Sequence, residues 1–250
     1  MGFAEAELTH DAFLGGRLHA WQPRHGYRAA TDPVLLAAAV EATPGQSVLE
    51  LGCGAGVACL CLAARVHGLT LTGVERQSEY AELARRNLGP IARILTADLT
   101  DLPADLRQES FNHVIANPPY YPAGGGTSAR DSGREAALRE ETPLEKWVDV
   151  AARRLAPKGW LTMIQAADRL PDMLAAMAPR LGSITLRPLA GREGRAASRV
   201  LVKARKGGRA PFALLPPLVL HSGPDHREDG DDFTPLARSI LRDAAPLPWV

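Results

Sequence analysis

Short apolar runs alternate with stretches of helical period along most of the chain. Seven runs of five to seven residues are bounded by glycine, proline or polar residues, which is typical of strands buried in a sheet. They lie at residues 47–51, 69–74, 91–96, 112–116, 160–165, 183–189 and 198–203, with one more short strand expected at 218–221. Helices are predicted at residues 34–42, 57–66, 77–88, 144–155, 168–181 and 234–242. The first of them is expected to begin at Thr31-Asp32-Pro33, with the hydroxyl of Thr31 or the carboxylate of Asp32 as its N-cap and proline in its first turn.

This alternation predicts an α/β fold. Strands that alternate with helices form a parallel sheet with helices on both faces. We therefore expect a doubly wound, mostly parallel, seven-stranded sheet. The runs at 183–189 and 198–203 are joined by a short loop and are expected to pair as antiparallel strands near the C-terminus. Residues 1–30 are expected to form an N-terminal arm or hairpin, centred on 13–27, and residues 31–250 a single domain.

Four features of the sequence follow directly after predicted strands. They are the glycine-rich segment 52–56, Glu75, Asp98 and Asn117. Ligands of open parallel sheets bind outside the carboxyl ends of the strands. Because those ends share one edge of the sheet, the sequence predicts a ligand site that contains all four features.

The glycine-rich segment differs from a dinucleotide-binding loop. Gly52, Gly54 and Gly56 lie between a strand and a helix, where they allow a tight turn and a close approach to a ligand. The dinucleotide fingerprint is Gly-x-Gly-x-x-Gly, and here the third glycine comes one residue early. Glu50 stands just before the loop, where its carboxylate would repel a pyrophosphate and suits a cationic ligand.

Two further acids complete this pattern. Glu75 is placed to accept both hydroxyls of a ribose, and Asp98 is placed to accept from an adenine amino group. Together with Glu50 they predict an adenosine with a positively charged, zwitterionic tail, and S-adenosylmethionine is such a molecule. The structural alternative is a glycine turn with two solvated acids.

The segment Asn117-Pro118-Pro119-Tyr120 predicts the second half of the site. Its prolines stop the preceding strand, hold the backbone extended and have no N–H to donate. What remains is the Asn117 side-chain oxygen, the carbonyls of Asn117 and Pro118, and the aromatic face of Tyr120. This set of acceptors suits a planar group that carries an NH2. The alternative is a proline turn that only closes the strand.

These motifs resemble a known family. Residues 49–56, Glu75, Asp98 and the Asn-Pro-Pro-Tyr segment resemble class I S-adenosylmethionine-dependent methyltransferases that act on amino groups. Further segments resemble the bacterial valine-tRNA adenine-N6 methyltransferase family, and they lie at residues 28–36, 199–202, 217–221 and 233–235. The resemblance spans residues 13–243 and departs at Ala30, where that family has glycine.

The resemblance implies a Rossmann-like methyltransferase fold and an enzyme that methylates N6 of adenine in RNA, with tRNA expected. It implies that S-adenosylmethionine is bound by Thr31, Asp32, Glu50, Gly52, Gly54, Gly56, Glu75, Asp98 and Asn117. It also implies that the catalytic residues are Asn117, Pro118, Pro119 and Tyr120. Asn117 and the Pro118 carbonyl would accept the hydrogens of the amine, and Tyr120 would stack on the base.

Composition limits the partners and the compartment. The net charge is +1, so any contact with nucleic acid must be a local patch. Basic residues cluster between positions 187 and 209, and the expected patch consists of Arg192, Arg195, Arg199, Lys203, Arg205, Lys206 and Arg209. The alternative is a solvated face. The glycine- and arginine-rich loop at 122–134 is expected to close on the substrate.

The three cysteines argue for a reducing compartment, and residues 1–11 are not a signal peptide, so we expect a cytoplasmic protein. Cys53, Cys59 and Cys61 are close in sequence but have no histidine pair beside them, so no metal is expected.

Three other functions are compatible with parts of the pattern. The same acceptors would serve another planar amine, such as the amino group of guanine in ribosomal RNA or a glutamine amide in a protein. A non-catalytic RNA-binding protein could keep the fold, although an intact Asn-Pro-Pro-Tyr with Glu75 and Asp98 disfavours this. An NAD-dependent oxidoreductase is disfavoured by the glycine spacing and by Glu50.

Overall fold

The computed structural model describes residues 2–122, 139–140, 142–223, 225 and 232–250. The loop expected to close on the substrate at 122–134 lies outside the described residues, apart from Pro122. Within the described ranges, the helices are too short or too polar to cross a membrane.

The secondary structure follows the predicted alternation. The strands are β1 (Leu8–Phe13), β2 (Leu18–Pro23), β3 (Ser47–Leu51), β4 (Thr70–Glu75), β5 (Ala92–Thr96), β6 (Phe111–Ala116), β7 (Tyr121–Pro122), β8 (Arg139–Glu140), β9 (Leu155–Ala166), β10 (Gly182–Arg192), β11 (Arg199–Arg205), β12 (Ala213–Leu214) and β13 (Leu218–His221). The helices are α1 (Thr31–Ala38), α2 (Val57–Arg65), α3 (Ser78–Leu88), α4 (Ala104–Gln108), α5 (Leu144–Arg154), α6 (Leu170–Met177) and α7 (Pro235–Asp243).

Within the residues that the structure describes, the central sheet has nine strands in the order β12-β10-β11-β9-β6-β3-β4-β5, with β13 also paired to β10. Neighbours from β9 to β5 are parallel, whereas β11 is antiparallel to both β9 and β10. The doubly wound, mostly parallel architecture and the C-terminal antiparallel pair are therefore confirmed. The sheet is larger than the seven strands expected for it, because the expected short strand at 218–221, β13, pairs with β10, and the unexpected β12 does so as well. β12 has only two residues, too few to show a pattern.

Both faces of the sheet are covered, as the continuous apolar runs predict. On β3, Val48 belongs to the buried cluster that includes residues of α1, α2 and α3. Leu49 and Leu51 belong to the cluster on the other face, which includes residues of α5 and α6. Each central strand thus contributes alternate side chains to two cores, and its carboxyl end is held at a fixed position.

The entry to α1 differs from the prediction. The helix begins at Thr31 itself, its N-cap residue is Ala30, and no side chain caps it. The predicted cap by Thr31 or Asp32 was therefore wrong. The Asp32 carboxylate is instead engaged by Tyr120 and Arg199, two residues distant in sequence.

The N-terminal arm is a hairpin of β1 and β2, which pair from Leu8 and Pro23 to Phe13 and Leu18. The hairpin starts at Leu8, earlier than the expected 13–27. The polar residues of β1 interrupt the apolar pattern by which a strand is recognised in a sequence. Asn87 of α3 fixes the hairpin: its Oδ1 accepts from the Trp21 N–H at 2.8 Å. Asn87 Nδ2 donates to the carbonyls of Trp21 and Ala55, each at 2.9 Å. The hairpin therefore lies beside the glycine-rich segment.

Gly56 offers a test of the packing at this segment. It has φ +81°, and an added Cβ would lie 2.6 Å from Leu88 Cδ1. Gly45 has a similar φ of +86° but open space around it. We expect Gly56→Ala to lower the free energy of unfolding by about 2–5 kcal/mol and Gly45→Ala by about 1–2 kcal/mol, measured by urea denaturation. Equal losses would show that Leu88 moves aside freely.

Candidate functional site

A cavity lies at the carboxyl ends of β3, β4, β5 and β6, at the predicted edge of the sheet. The predicted site residues that line it are Glu50, Gly52, Gly54, Glu75, Asp98, Asn117 and Pro119. The other predicted site residues, which do not line it, are Thr31, Asp32, Gly56, Pro118 and Tyr120. The structure thus brings most of the predicted site together and places the remainder around it.

Gly52 forms the turn that ends β3 and carries the chain into the cavity wall. Its φ is +66°, and an added Cβ would lie 2.6 Å from Trp147 Cη2. Trp147 is a buried residue of α5 that lines the cavity. A side chain at position 52 would therefore meet the indole ring, so the close approach requires glycine.

Glu50 is a buried carboxylate at the end of β3, with 3% of its surface exposed. Its Oε2 accepts from the N–H of Cys59, in the first turn of α2, at 3.2 Å. Burial raises the pKa of Glu50 to about 7, and the hydrogen bond from Cys59 only partly opposes this. A cationic ligand in the cavity would favour the ionised form of Glu50.

Glu75 is held rigidly at the end of β4. Its Oε2 accepts from the N–H of Gly54 at 2.9 Å, and its Oε1 accepts from the N–H of Gln77 at 2.8 Å. Burial raises the pKa of Glu75 in spite of these bonds. Each carboxylate oxygen keeps a lone pair for another donor, so Glu75 can accept two ligand hydroxyls at fixed positions.

Asp98 follows β5 and is partly exposed. Its Oδ1 accepts from the N–H and the hydroxyl of Thr100, at 2.8 and 2.7 Å. Partial burial acts against ionisation, but these hydrogen bonds outweigh it and lower the pKa of Asp98. Asp98 is therefore a charged acceptor on the cavity wall.

The residues present fit S-adenosylmethionine. The cavity is lined by three carboxylates, from Glu50, Glu75 and Asp98, by the guanidinium-bearing Arg76, and by polar, apolar and aromatic residues, so acids outnumber bases on its wall. Carboxylates suit a sulphonium, an ammonium, ribose hydroxyls and an adenine amino group, and they disfavour a pyrophosphate.

Asn117 provides an unusual acceptor at the end of β6. Its Oδ1 is buried and has no hydrogen-bond partner among the described residues. Its Nδ2 donates to the hydroxyl of Tyr27 at 3.4 Å, which directs the amide NH2 toward the N-terminal arm. A buried, unpaired acceptor costs roughly 1–3 kcal/mol, so its presence beside a ligand cavity points to a donor on the ligand.

Tyr120 is anchored outside the cavity. Its hydroxyl donates to Asp32 Oδ2, and Arg199 Nε lies 2.7 Å from the same oxygen. The guanidinium of Arg199 lies 5.7 Å from the centroid of the Tyr120 ring. Burial and the charge of Asp32 raise the pKa of Tyr120, so its hydroxyl remains a donor.

Sequence reasoning missed three aromatic residues of the cavity wall: Tyr27, Tyr80 and Trp147. The Tyr80 hydroxyl accepts from the Tyr27 N–H at 2.8 Å and donates to the Tyr27 carbonyl at 3.1 Å. Burial raises the pKa of Tyr27, which keeps its hydroxyl neutral beside Asn117. These residues follow no strand end, so the signal that found the acids could not find them.

The predicted basic patch is not a single surface. β11 runs antiparallel to β9, with Arg199 level with Ala166 and Arg205 level with Trp160. Arg199 therefore lies at the edge that carries the cavity, and Arg205 lies about 20 Å away at the opposite edge. These basic residues are close in sequence, which suggested one patch. However, β11 crosses the sheet and places the residues at its two ends at opposite edges.

Four of the seven basic residues also form ion pairs with acids of this chain. Arg192 contacts Asp232, and its guanidinium donates to the Ser222 carbonyl at 2.6 Å. The other three pairs are Arg195 with Asp225, Arg199 with Asp32 and Lys203 with Glu41. Such pairing reduces the positive potential available to a phosphate.

Of the three cysteines, Cys53 lines the cavity, whereas Cys59 and Cys61 do not. Cys53, Cys59 and Cys61 are free and buried, and burial raises the pKa of each thiol. In the part of the chain that the structure describes, no group of three or more His, Cys, Asp or Glu side chains could hold a metal ion.

Comparison with known sequences agrees with the geometry. Residues 31–184 match the family model described as "Methyltransferase small domain". A tRNA1(Val) (adenine(37)-N6)-methyltransferase of Porphyromonas gingivalis is 32% identical over an alignment of 254 positions, which covers 94% of this chain and 99% of the relative. An enzyme of the same name from Actinobacillus succinogenes is 29% identical over an alignment of 204 positions, which covers 78% of this chain and 84% of the relative.

Solved structures agree as well. A protein from Agrobacterium tumefaciens, described as a predicted O-methyltransferase, has a TM-score of 0.71 at 29% identity over 86% of this chain and 98% of that one. The T. thermophilus 16S rRNA N2 G1207 methyltransferase, in complex with AdoMet and guanosine, has a TM-score of 0.56 at 21% identity. It covers 80% of this chain and 50% of its own, and its likeness concerns the fold alone.

The buried Glu50 predicts a dependence of stability on pH. The pKa of Glu50 in the folded chain is about 7, against a usual 4.5. Below pH 4.5 the carboxyl is neutral in both the folded and the unfolded chain, and the free energy of unfolding falls as pH rises above 4.5 and through 7. In the ligand-free chain, Glu50→Gln should gain stability relative to wild type between pH 5 and 8, by about 3 kcal/mol at most. Urea denaturation across this range measures the difference.

The control is Glu79→Gln. Hydrogen bonds from its own backbone N–H and from the Ser78 hydroxyl lower the pKa of Glu79. That variant should therefore lose stability relative to wild type as pH rises from acid conditions, the opposite sign. A difference for Glu50→Gln that does not change with pH would show that the pKa of Glu50 is the same in the folded and the unfolded chain.

The sheet order, the acidic cavity at the strand ends and the unpaired amide oxygen of Asn117 agree with what the relatives and the family model indicate. The chain is an enzyme that transfers methyl groups, and it belongs to the methyltransferase small domain family.

Proposed function

We propose that this chain methylates the N6 amino group of an adenine in tRNA, with S-adenosylmethionine as the methyl donor. The observation that carries the proposal is the buried, unpaired Oδ1 of Asn117, a residue that lines the same cavity as the acids that fit the cofactor. An acceptor without a partner at this point calls for an N–H from the substrate.

The relatives narrow the substrate. The P. gingivalis and A. succinogenes enzymes are named for the N6 position of adenine 37 in tRNA1(Val), and the first of them is matched over 99% of its length. We propose the same nucleotide for this chain.

The cofactor would be held by the strand-end acids. Glu75 would accept the ribose hydroxyls, Asp98 the adenine amino group, and Glu50 would face the positive charge. Gly52 and Gly54 have no side chain, so the cofactor can approach the backbone of this segment closely. S-adenosylmethionine supplies an electrophilic methyl group when bound; the part of this chain is to fix where that group meets the substrate.

The acceptors activate the amine without a strong base. The lone pair of an adenine amino nitrogen is delocalised into the ring, so the nitrogen is a poor nucleophile. When Asn117 Oδ1 and the Pro118 carbonyl accept its two hydrogens, the nitrogen can become pyramidal and direct its lone pair outward. Catalysis by this chain is then positioning, together with acceptors aimed at charge that develops in the transition state. Tyr120 would stack on the base, worth ~1–3 kcal/mol.

An adenine inside a folded RNA must leave its stack to reach a cavity of this kind. We propose that the RNA approaches the sheet edge where Arg192, Arg195 and Arg199 lie. Lys203, Arg205, Lys206 and Arg209 would be peripheral or uninvolved. We also propose that residues 1–30 act as an arm on a single catalytic domain of residues 31–250, and that the enzyme works in the cytoplasm, where tRNA is modified.

Labelled-methyl transfer tests the substrate. Purified protein and methyl-labelled S-adenosylmethionine are incubated separately with total tRNA, ribosomal RNA and cell protein, and the products are digested and analysed. We expect label as N6-methyladenosine in tRNA. Label in N2-methylguanosine of ribosomal RNA, or in methylglutamine, would replace the proposed substrate with one of the other planar amines.

Asn117→Ala tests the mechanism. Loss of the amide oxygen should lower kcat about 10²- to 10³-fold, because one positioned acceptor is removed. The dissociation constant of S-adenosylmethionine, measured by calorimetry, should change little. The control is Asn112→Ala at the other end of β6, where Asn112 Oδ1 accepts from the Ser47 N–H and hydroxyl, at 2.9 and 3.1 Å. That variant should lose stability but keep kcat, and normal turnover in Asn117→Ala would refute the mechanism.

A further inference from the structure

We propose that Gln165, Asp32 and Arg199 form a clamp that fixes the Asn117–Tyr120 segment from outside the cavity. In this view the three are positioning residues for methyl transfer, and none of them touches the cofactor. The inference rests on the proposed function, because it explains how the acceptors for the amine are held in place.

Gln165 restrains the middle of the segment. It is fully buried near the carboxyl end of β9, two residues after Met163, which is level with the last residue of β6. Its Nε2 donates to the carbonyls of Pro118 and Pro119, at 3.4 and 3.2 Å. Its Oε1 accepts from the Ala166 N–H at 2.8 Å, so the amide NH2 must face the two prolines.

The segment needs such a partner because of its own chemistry. The proline rings fix φ at positions 118 and 119 but leave ψ to rotate, and neither residue has an N–H to tie it to a neighbouring strand. A side chain that donates to both carbonyls removes this freedom. A carbonyl oxygen has two lone pairs, so Pro118 can accept from Gln165 and still accept a hydrogen of the substrate amine.

Asp32 and Arg199 restrain the end of the segment. Tyr120 donates to Asp32 Oδ2, and Arg199 Nε lies 2.7 Å from the same atom. Because Arg199 is level with Ala166 across the β9–β11 pair, it arrives beside Gln165. Gln165 on β9 thus restrains the proline carbonyls, and Arg199 on β11 restrains the tyrosine ring that is proposed to stack on the base.

This arrangement gives Asp32 and Arg199 roles other than those the sequence suggests. Asp32 was expected to bind the cofactor, yet it does not line the cavity; Tyr120 and Arg199 both contact its Oδ2, and its Oδ1 is buried without a hydrogen-bond partner among the described residues. Arg199 was expected to contact RNA; its Nε also forms an ion pair with Asp32, and its guanidinium lies over the Tyr120 ring, so it restrains this segment at the edge where the RNA is proposed to approach.

Gln165→Met is the first test. Methionine keeps the length and the burial of the side chain but cannot donate. We expect kcat on tRNA to fall about 10- to 100-fold, since a displacement near 1 Å has that effect on a reacting pair. The dissociation constant of S-adenosylmethionine should stay within about twofold, as expected for a residue that positions only the acceptors.

Gln46→Met is its matched control. Gln46 lies before β3, at the opposite edge of the sheet, where its Oε1 accepts from the Thr43 N–H at 3.0 Å and pairs with His113 Nε2 at 3.0 Å. This variant should lose stability and keep kcat. If Gln165→Met and Gln46→Met retain the same kcat, or if Gln165→Met weakens cofactor binding as much as it lowers kcat, the clamp is overturned.

A double-mutant cycle with Asp32→Asn and Tyr120→Phe tests the other end. If Asp32 acts through the tyrosine hydroxyl, each single variant lowers kcat and the double variant is no worse than Tyr120→Phe alone. Cofactor affinity should be unchanged in all three. A loss of cofactor affinity of tenfold or more in Asp32→Asn, in both backgrounds, would make Asp32 a cofactor ligand and overturn the clamp.

The wild-type chain separates the two possible failures. If it labels guanine or protein instead of tRNA adenine, the proposed substrate is wrong, and the variants are compared on the substrate that accepts label. If it labels tRNA adenine and the variants match their controls, the substrate stands and the clamp fails. The cofactor affinities decide the role of Asp32 whichever substrate is methylated.

Discussion

An amide oxygen that is buried without a partner is the constraint on which this structure depends. Asn117 Oδ1 is such an atom, and it sits at the end of a strand whose neighbours are all parallel. Leaving this oxygen unpaired costs roughly 1–3 kcal/mol. The surrounding fold must therefore be stable enough to keep the Asn117 side chain in place in spite of that cost. The central sheet does so by burying both faces of each strand, which leaves the strand ends little freedom.

The cavity divides its chemistry between two sets of oxygen atoms. Carboxylates on the ends of β3, β4 and the turn after β5 suit positive charge and hydroxyl donors, whereas neutral acceptors after β6 suit an amine. The neutral set matters because a carboxylate in that place would attract the positively charged donor group and compete with the weakly nucleophilic substrate. Tyr27, whose pKa is raised by burial, remains uncharged beside the neutral set.

Much of this site could be predicted from the sequence because it is local. Glu50, Gly52, Glu75 and Asn117 each follow or end a strand that has its own apolar signal, and parallel strands bring their ends together whatever the rest of the chain does. Gln165, Tyr27 and Trp147 could not be assigned in this way. Their contacts join positions 46 to 95 residues apart, and no short-range pattern encodes them.

The burial of the thiols has a practical consequence. Cys53, Cys59 and Cys61 are shielded, and their raised pKa values keep them as thiols at neutral pH. Thiolates, not thiols, react with maleimides. A cysteine introduced on the exposed surface would thus react selectively with a maleimide fluorophore, without removal of the three native cysteines. The fluorescence of that label would report the binding and release of RNA.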